Sequence, residues 1–310
     1  MKNTLRYISV ILIWGSTWLA IKFQLDVVDP MVTIFYRFIA ACALIFIFCI
    51  FTKRSLKFSF HSHLMMGFQG ICTFALNYWL FYQAQKIITS GLAAVIFSLL
   101  VFMNIINAYL FMQTPFKKSV FIGAVLGFIG ILLIFQPEFI KVNISAQIWL
   151  RIGFGILGTY IFSIGNIISA YNQKNNLPVI PSTAFSMLYG ALFMLILALL
   201  SQKPIILDTS ISYLGGLSYT IIFGSVIAFL CYLTLIGELG AGRTAYIMLI
   251  TPLVAMILST FFEEYKWTIQ GMLGMLMILS GKFLVLQLSN TSKRKIKQGN
   301  SGESVSIQKN

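Results

Sequence analysis

Long apolar runs separated by short polar connectors dominate this chain. Ten of these runs come close to the ~20 residues that a helix needs to cross the apolar layer of a membrane. Because no connector is large enough to bury a core of its own, a functional site would have to lie between the helices. The pattern predicts an all-α integral membrane protein with transmembrane helices at 6–22, 31–51, 64–85, 90–111, 119–136, 148–170, 181–200, 213–236, 240–261 and 268–288.

The predicted fourth and fifth helices recur as the ninth and tenth. Segment 90–135 aligns with segment 240–286, with one extra residue in the later copy. A repeat of this length in so apolar a chain is typical of a transporter built from two halves. The matched pairs include Tyr82 with Tyr232, Ser90 with Gly240, Phe111 with Phe261, Gly123 with Gly274 and Gly130 with Gly281.

The repeat divides the chain into two five-helix units, 5–136 and 148–288, followed by a polar basic tail at 289–310. The tail is rich in Ser, Lys, Asn and Gln, so we expect it to be disordered. Since each unit has an odd number of helices, the second unit should enter the membrane in the opposite orientation to the first. The predicted fold is therefore two inverted five-helix repeats.

The charges support a membrane location and give it an orientation. The chain is 58% hydrophobic and only 10% charged, with a mean hydropathy of +0.89. Alternating assignment of the connectors places fourteen Lys and Arg residues on one side and six on the other. Basic residues favour the cytoplasmic side, so both termini are predicted to be cytoplasmic. The net charge of +14 is scattered over connectors that flank the lipid bilayer, which argues against a nucleic-acid partner.

Several short motifs occur in a set order along the chain. They are Trp14-Gly15-Ser16-Thr17, Asp29-Pro30, Tyr36-Arg37-Phe38, Thr89-Ser90-Gly91-Leu92-Ala93 and the duplicated hairpin with its Gly-x6-Gly end. Together they resemble the EamA branch of the drug/metabolite transporter superfamily over about residues 5–288. The resemblance implies a permease or exporter of the bacterial inner membrane that works by alternating access. It also implies a central cavity lined mainly by helices one to four and six to nine, with helices five and ten outside.

The two copies of the hairpin differ at two places. The ninth helix contains Pro252, whereas the matched position in the fourth is Phe102, where the family often has proline. Since proline removes a helical hydrogen bond and Phe102 does not, we expect the ninth helix to bend more sharply than the fourth. The acidic pair Glu263 and Glu264 ends the ninth helix, but Met112-Gln113 stands at that point in the fourth.

Arg37 is the deepest charge in the first half, about 10 Å into the apolar layer. A charge at depth costs at least ~2.5–3.5 kcal/mol unless it meets a partner or water. One interpretation is a structural arginine that bonds helix-end carbonyls. The other is a cavity group that binds an anionic substrate, with Asn77 as a neighbouring amide.

Polar stripes on other helices supply further candidates. Amides must be paired in lipid, so these stripes should face inward, where they either join helices or line the cavity. Trp14, Trp18, Tyr36 and Trp79 would add aromatic walls. The stripes contain Gln69, Thr73 and Asn77 on helix three with Tyr78 and Tyr82 beside them, Asn104 and Asn107 on helix four, and Thr159, Ser163 and Asn166 on helix six. The predicted substrate-binding residues are Arg37, Asn77, Trp14, Tyr82, Asn104 and Asn166.

The eight acidic residues all fall in connectors, at span ends or in the tail. Proton coupling, sodium coupling and cationic substrates usually recruit a carboxylate at depth, so an anionic, zwitterionic or neutral substrate is favoured. The four cysteines lie within apolar spans, and the pair His61 and His63 lies in a basic connector, so neither a disulfide nor a metal or cofactor site is predicted.

Three classes of function remain at this stage. The favoured one is a secondary transporter of a small polar metabolite that is amino-acid-like or bears a carboxylate. A membrane enzyme is disfavoured because the chain has no nucleophile set, HExxH motif or Walker loop. A non-transporting receptor or scaffold is the alternative, although it would normally need an output domain. Glycine-rich helix faces predict close helix packing within the chain, with a homodimer surface as the second interpretation.

Overall fold

The computed structural model of the protein describes residues 2–22, 24, 28–88, 90–116, 118–136, 146–262 and 268–281, and every regular element within them is a helix. The helices are α1 Lys2–Lys22, α2 Pro30–Phe51, α3 Phe60–Gln85, α4 Ser90–Ser98 with Leu100–Met112, α5 Lys118–Ile134, α6 Ala146–Lys174, α7 Val179–Leu200, α8 Ile211–Leu239, α9 Ala241–Thr244 with Ile247–Phe262, and α10 Ile269–Gly281. The predicted roles of Glu263, Glu264 and the tail 289–310 lie outside the described residues.

Seven helical segments in the described ranges are long and apolar enough to cross a membrane. They are Pro30–Phe51, Phe60–Gln85, Ala93–Met112, Ala146–Lys174, Val179–Leu200, Ile211–Leu239 and Ala241–Leu258. α5 and α10 are apolar but shorter. The prediction of an all-α membrane protein is confirmed at this level.

Polar caps start corresponding helices in the two halves. The Asp29 carboxylate accepts the backbone N–H of Met31 at 2.9 Å, and Pro30 occupies the first turn of α2. Ser59 caps α3 and Ser210 caps α8, each by accepting the N–H of the residue three further on. Side-chain caps satisfy N–H groups that have no partner inside the helix.

α2 and α7 end in the same backbone motif. Lys53 and Gln202 have left-handed backbone angles, with φ of 52° and 51°. The next residue donates its N–H five residues back in both cases, from Arg54 to Cys49 and from Lys203 to Ala198. This is the Schellman arrangement, which satisfies carbonyls at a helix end.

α3 and α8 each contain a stretch of π-helix between two α-helical parts. The π segment of α3 is Ile71–Leu76 and that of α8 is Thr220–Ile227. Wide turns of this kind often occur at functional sites, because they displace backbone and side chains from the regular helical positions. Both segments lie at the middle of the third helix of their half of the chain.

The helices pack in matched pairs, and α3 against α6 and α2 against α7 make the most extensive contacts. The α1 contacts with α8 and α9 correspond to the α6 contacts with α3 and α4. Contact of α2 with the π segment of α8 likewise corresponds to contact of α7 with α3. Each half of the chain therefore packs against the other through equivalent helices.

Glycines bring α5 and α10 together. A Cβ on Gly130 would lie 2.5 Å from the Gly274 carbonyl oxygen, and one on Gly281 would lie 2.6 Å from that of Gly123. Only residues without a side chain allow backbones to approach so closely. These four glycines therefore pack within the chain, and the homodimer stays an untested prediction.

The fourth helix is not continuous, and the sharper bend expected of the ninth helix stays a prediction. α4 is interrupted at Leu99, whose N–H bonds the Ile96 carbonyl three residues back. The Ser98 hydroxyl donates to the Val95 carbonyl at 2.6 Å, and such local bonds compete with the helical ladder. α9 is interrupted at 245–246, while Pro252 lies within its continuous second part, Ile247–Phe262.

His63 does not lie in a solvated connector, as the sequence suggested. It belongs to the first turn of α3, and its Nδ1 is 2.8 Å from the Tyr189 hydroxyl on α7. The ring also packs edge-on against Phe185. His63 therefore joins two helices, because an aromatic neighbour and a hydroxyl partner were available across the α3–α7 contact.

Candidate functional site

A cavity of about 130 Å³ lies at the centre of the helix bundle, between α1, α2, α3, α4, α6, α8 and α9. Its wall combines aromatic rings with a small set of polar groups. The aromatic residues are Trp14, Tyr78, Phe81, Tyr82, Phe97, Phe162 and Phe229. The polar residues are Thr17, Arg37, Asn77, Gln85 and Thr251. Binding sites for small molecules commonly combine an apolar wall with a few fixed polar groups.

Four of the six residues predicted for substrate binding line this cavity, namely Trp14, Arg37, Asn77 and Tyr82. Asn104 and Asn166 do not line it and are completely buried elsewhere.

Sequence reasoning missed several lining residues. Phe81 and Gln85 follow Asn77 at spacings of four, so extending the polar stripe of α3 would have found them. Phe97, Phe162 and Phe229 gave no such signal, because apolar residues recur on every face of a membrane helix.

Arg37 is the only charged residue in the described cavity wall, and it is only 4% exposed. Its Nε donates to the Ser225 hydroxyl at 2.7 Å. The guanidinium carbon lies 5.0 Å from the centre of the Tyr78 ring and 5.3 Å from that of Phe38. Within the described chain no carboxylate forms an ion pair with it. Its surroundings therefore stabilise the cation by hydrogen bonding and ring contacts, and leave the charge unneutralised.

The amide of Asn77 does not serve as the partner of Arg37. Its Nδ2 donates instead to the Gly158 carbonyl on α6 at 3.1 Å. Gly158 allows this approach because a Cβ there would already touch Leu80 and Phe81 at 3.2 and 3.1 Å. Asn77 therefore both joins α3 to α6 and presents a polar group at the cavity wall.

Trp14 forms part of the cavity wall on the α1 side. Its indole Nε1 donates to the Gly224 carbonyl on α8 at 3.1 Å. The ring packs edge-on against Phe229 and lies 4.9 Å from the centre of the Tyr232 ring. The indole nitrogen and the ring of this tryptophan are thus both held by contacts with α8.

Asn104 and Asn166 belong to a polar cluster behind the aromatic wall. Asn166 Nδ2 lies 3.0 Å from the Tyr232 hydroxyl and 3.5 Å from Asn104 Oδ1. Asn104 Nδ2 donates to the Ala241 carbonyl at 3.2 Å. We call these four residues the asparagine cluster; it connects α4, α6, α8 and α9.

A second cavity of about 550 Å³ lies on the far side of the asparagine cluster. Ala241, which accepts a bond from Asn104, also lines this cavity together with Lys174 and Arg243. Tyr232 in turn packs against Trp14 and Phe162 of the central cavity. The asparagine cluster therefore separates two cavities along the bundle.

Comparison with known proteins decides the family. The model of the EamA-like transporter family matches residues 5–136 and 149–287, which together make up most of the chain. The chain belongs to the EamA-like transporter family. It is therefore a multi-pass integral membrane transporter, and the predicted resemblance to drug/metabolite transporters is confirmed.

Curated proteins of similar length match most of this EamA-like chain. "Protein PagO" of Salmonella typhimurium is 25% identical over 286 residues, covering 92% of each chain. The "uncharacterized inner membrane transporter YedA" of Escherichia coli is 23% identical over 282 residues, covering 88% of this chain and 89% of its own. A solved crystal structure superimposes on 93% of this chain and 98% of its own, with a TM-score of 0.76 and 15% identity. At that identity the structural match shows the fold alone.

Proposed function

We propose that the protein is a secondary transporter of a small polar metabolite that bears a carboxylate, such as an amino acid. Transport would proceed by alternating access through ten transmembrane helices in two inverted five-helix repeats. Arg37 carries the proposal. It is a buried cation on the wall of the central cavity, and no described carboxylate neutralises it.

The energetics of Arg37 favour an anionic ligand group. A buried charge without a counter-charge is costly, so a binding anion gains both the ion pair and charge-assisted hydrogen bonds. Since Nε is engaged by Ser225, further donors to a ligand come from the Nη atoms. A guanidinium fork matches the two oxygens of a carboxylate, which Lys cannot imitate.

The rest of the cavity supports a small ligand. A volume of about 130 Å³ lies below the roughly 300–1,000 Å³ of pockets that hold drug-sized ligands. Thr17, Asn77 and Gln85 offer partners for a further polar group on the ligand, while the aromatic wall contacts its apolar part. Asn104 and Asn166 lie outside the cavity wall, so we assign them to the barrier between the two cavities.

The matched features of the two halves support the inverted repeat. Equivalent caps at Ser59 and Ser210, equivalent ends at Lys53 and Gln202, and π segments in α3 and α8 recur in the same order. The excess of basic residues supports cytoplasmic termini. In that orientation the central cavity lies toward the outer side and the asparagine cluster separates it from the cytoplasm. The bacterial inner membrane is the proposed location, as for the relative YedA.

Counterflow into proteoliposomes tests the proposal. Purified protein is reconstituted, the vesicles are preloaded with an unlabelled compound, and entry of the same compound in radiolabelled form is followed. The panel contains the standard L-amino acids, small mono- and dicarboxylates, and the amides of the same acids. We expect counterflow of at least one carboxylate and little of its amide. Exchange of neutral or cationic compounds alone, or of none of the panel, would overturn the proposal.

A further inference from the structure

We infer that Gly224 and Ser225, in the π segment of α8, are positioning residues that orient Arg37 toward the substrate carboxylate. The inference rests on the proposed function, because it assumes that Arg37 meets the substrate. It adds that the anion site is built by both halves of the chain. The first half supplies the guanidinium on α2, and the second supplies the element that orients it.

The π segment changes which backbone groups α8 presents. In a regular α-helix the N–H of Ala228 would bond the Gly224 carbonyl four residues back. Here the Ala228 N–H bonds the carbonyls of Phe223 and Ser225 instead. The Gly224 carbonyl accepts the indole N–H of Trp14 at 3.1 Å. The wide turn therefore makes a backbone acceptor available to the cavity wall.

Ser225 follows directly and holds the guanidinium. Its side chain is completely buried, and its hydroxyl accepts Arg37 Nε at 2.7 Å. A bond to Nε fixes the rotation of the planar guanidinium about its stem. The direction of the two Nη groups is then set before any ligand binds, which lowers the ordering cost of binding.

Gly224 provides the space in which the guanidinium lies. A Cβ at this position would be 3.1 Å from Arg37 Nη2 and 3.5 Å from Thr17 Oγ1. An added methyl group would therefore press on the Nη end of the fork. Gly224 and Ser225 therefore act on opposite ends of the guanidinium. Gly224 leaves room for Nη2, and Ser225 binds Nε.

The matched position on α7 lacks these features. Ser186 stands near the place that corresponds to Arg37 in the other half, and its buried hydroxyl has no partner among the described residues. It lies on a helix that packs against the other π segment, that of α3. Ser186 is therefore a matched control: a buried serine on a helix beside a π segment, whose hydroxyl does not bond the guanidinium.

The test measures counterflow kinetics of the L-amino acid that exchanges fastest and of its carboxamide. Ser225→Ala should raise the half-saturation concentration for the acid roughly fivefold to tenfold, because a bond to a charged group is lost. The maximal rate and the kinetics of the amide should not change. Ser225→Thr keeps the hydroxyl and should restore most of the affinity. Gly224→Ala should raise the half-saturation concentration for the acid in the same way, and Ser186→Ala should behave like wild type.

A double-mutant cycle shows whether Ser225 acts through Arg37. If it does, Ser225→Ala should have little further effect in the Arg37→Lys background, because coupled residues are not additive. Fully additive losses would overturn the inference. So would a fall in maximal rate that affects acid and amide alike, since that outcome indicates a structural role.

The two proposals fail in different ways. If Arg37→Lys removes the preference for acid over amide but Ser225→Ala and Gly224→Ala both match wild type, the inference fails and the proposed function stands. If Arg37→Lys leaves that preference intact, both are overturned. Should Ser225→Ala be recovered in too low a yield, Gly224→Ala carries the same comparison, and wild-type affinity of that variant contradicts the inference.

Discussion

Asn166 donates from Nδ2 to the Tyr232 hydroxyl at 3.0 Å, and both side chains are completely buried. The bond joins α6 to α8 between the central cavity and the second cavity. The ring of Tyr232 also contacts Trp14. One side chain therefore links the aromatic wall to the asparagine cluster.

Tyr232→Phe should destabilise the protein by about 1–3 kcal/mol, because it removes the near acceptor of a buried amide. The remaining acceptor of Asn166 Nδ2, Asn104 Oδ1, is 3.5 Å away. Thermal unfolding in detergent measures the effect. Tyr160→Phe is the control, since Tyr160 lies on α6 but is exposed. Equal unfolding temperatures for the two variants would contradict the prediction.

Gly70→Ala should destabilise the contact of α3 with α7. An added Cβ would overlap the Ser186 carbonyl oxygen and approach the Gly190 nitrogen to 3.1 Å. Both are backbone atoms, which cannot move as a side chain can, so we expect a cost of about 1–3 kcal/mol. A Cβ on Gly153 would meet nothing within 4 Å, and Gly153→Ala is therefore the matched control in the same unfolding assay. The prediction fails if the two variants unfold together.

The sequence predicted the class of fold because apolar runs, turn residues and an internal repeat are local signals. It did not predict the interruption of α4 at Leu99 or the π segments of α3 and α8. The pattern of apolar residues does not reveal which carbonyl each backbone N–H will bond, as the Leu99 N–H shows by bonding Ile96. α9 is interrupted at 245–246, six residues before Pro252, and the proline itself lies within a continuous helical segment.

The candidate site was also predicted only in part, because some of it depends on contacts between helices. The free-energy cost of a charge in the apolar layer predicted that Arg37 would meet a partner, a cavity or water. The structure places it at a cavity. The same argument placed Asn77, Asn104 and Asn166 inside the bundle but could not separate cavity lining from helix joining. The sequence did not predict Ser225, because a lone serine in an apolar helix indicates no function until its partner on α2 is known.

The proposed orientation predicts which exposed positions can be labelled from outside the cell. Lys203→Cys, beyond the end of α7, should react with a membrane-impermeant maleimide in intact cells. Lys57→Cys, in the connector before α3, should react only after permeabilisation. The background replaces Cys42, Cys49, Cys72 and Cys231 with alanine and must retain counterflow. The reverse pattern of labelling would contradict the orientation.

Arg37→Lys should weaken counterflow of the carboxylate substrate at least about tenfold, which corresponds to about 1.4 kcal/mol. Lys keeps the charge but has no Nε to bond Ser225 and no planar fork to meet two oxygens. Stability should stay near wild type, because the cation still lies against the Tyr78 and Phe38 rings.

Arg54→Lys is the matched control for this change. Arg54 follows the end of α2, where it is exposed and lies over the ring of Phe48 rather than at the cavity. Its replacement should change neither counterflow nor unfolding. If Arg37→Lys lowers transport only in proportion to a loss of folded protein, Arg37 is a structural residue that holds α2 against α8. A selective loss of carboxylate transport with normal unfolding instead makes the guanidinium a substrate contact, because folding does not require the geometry that the substrate does.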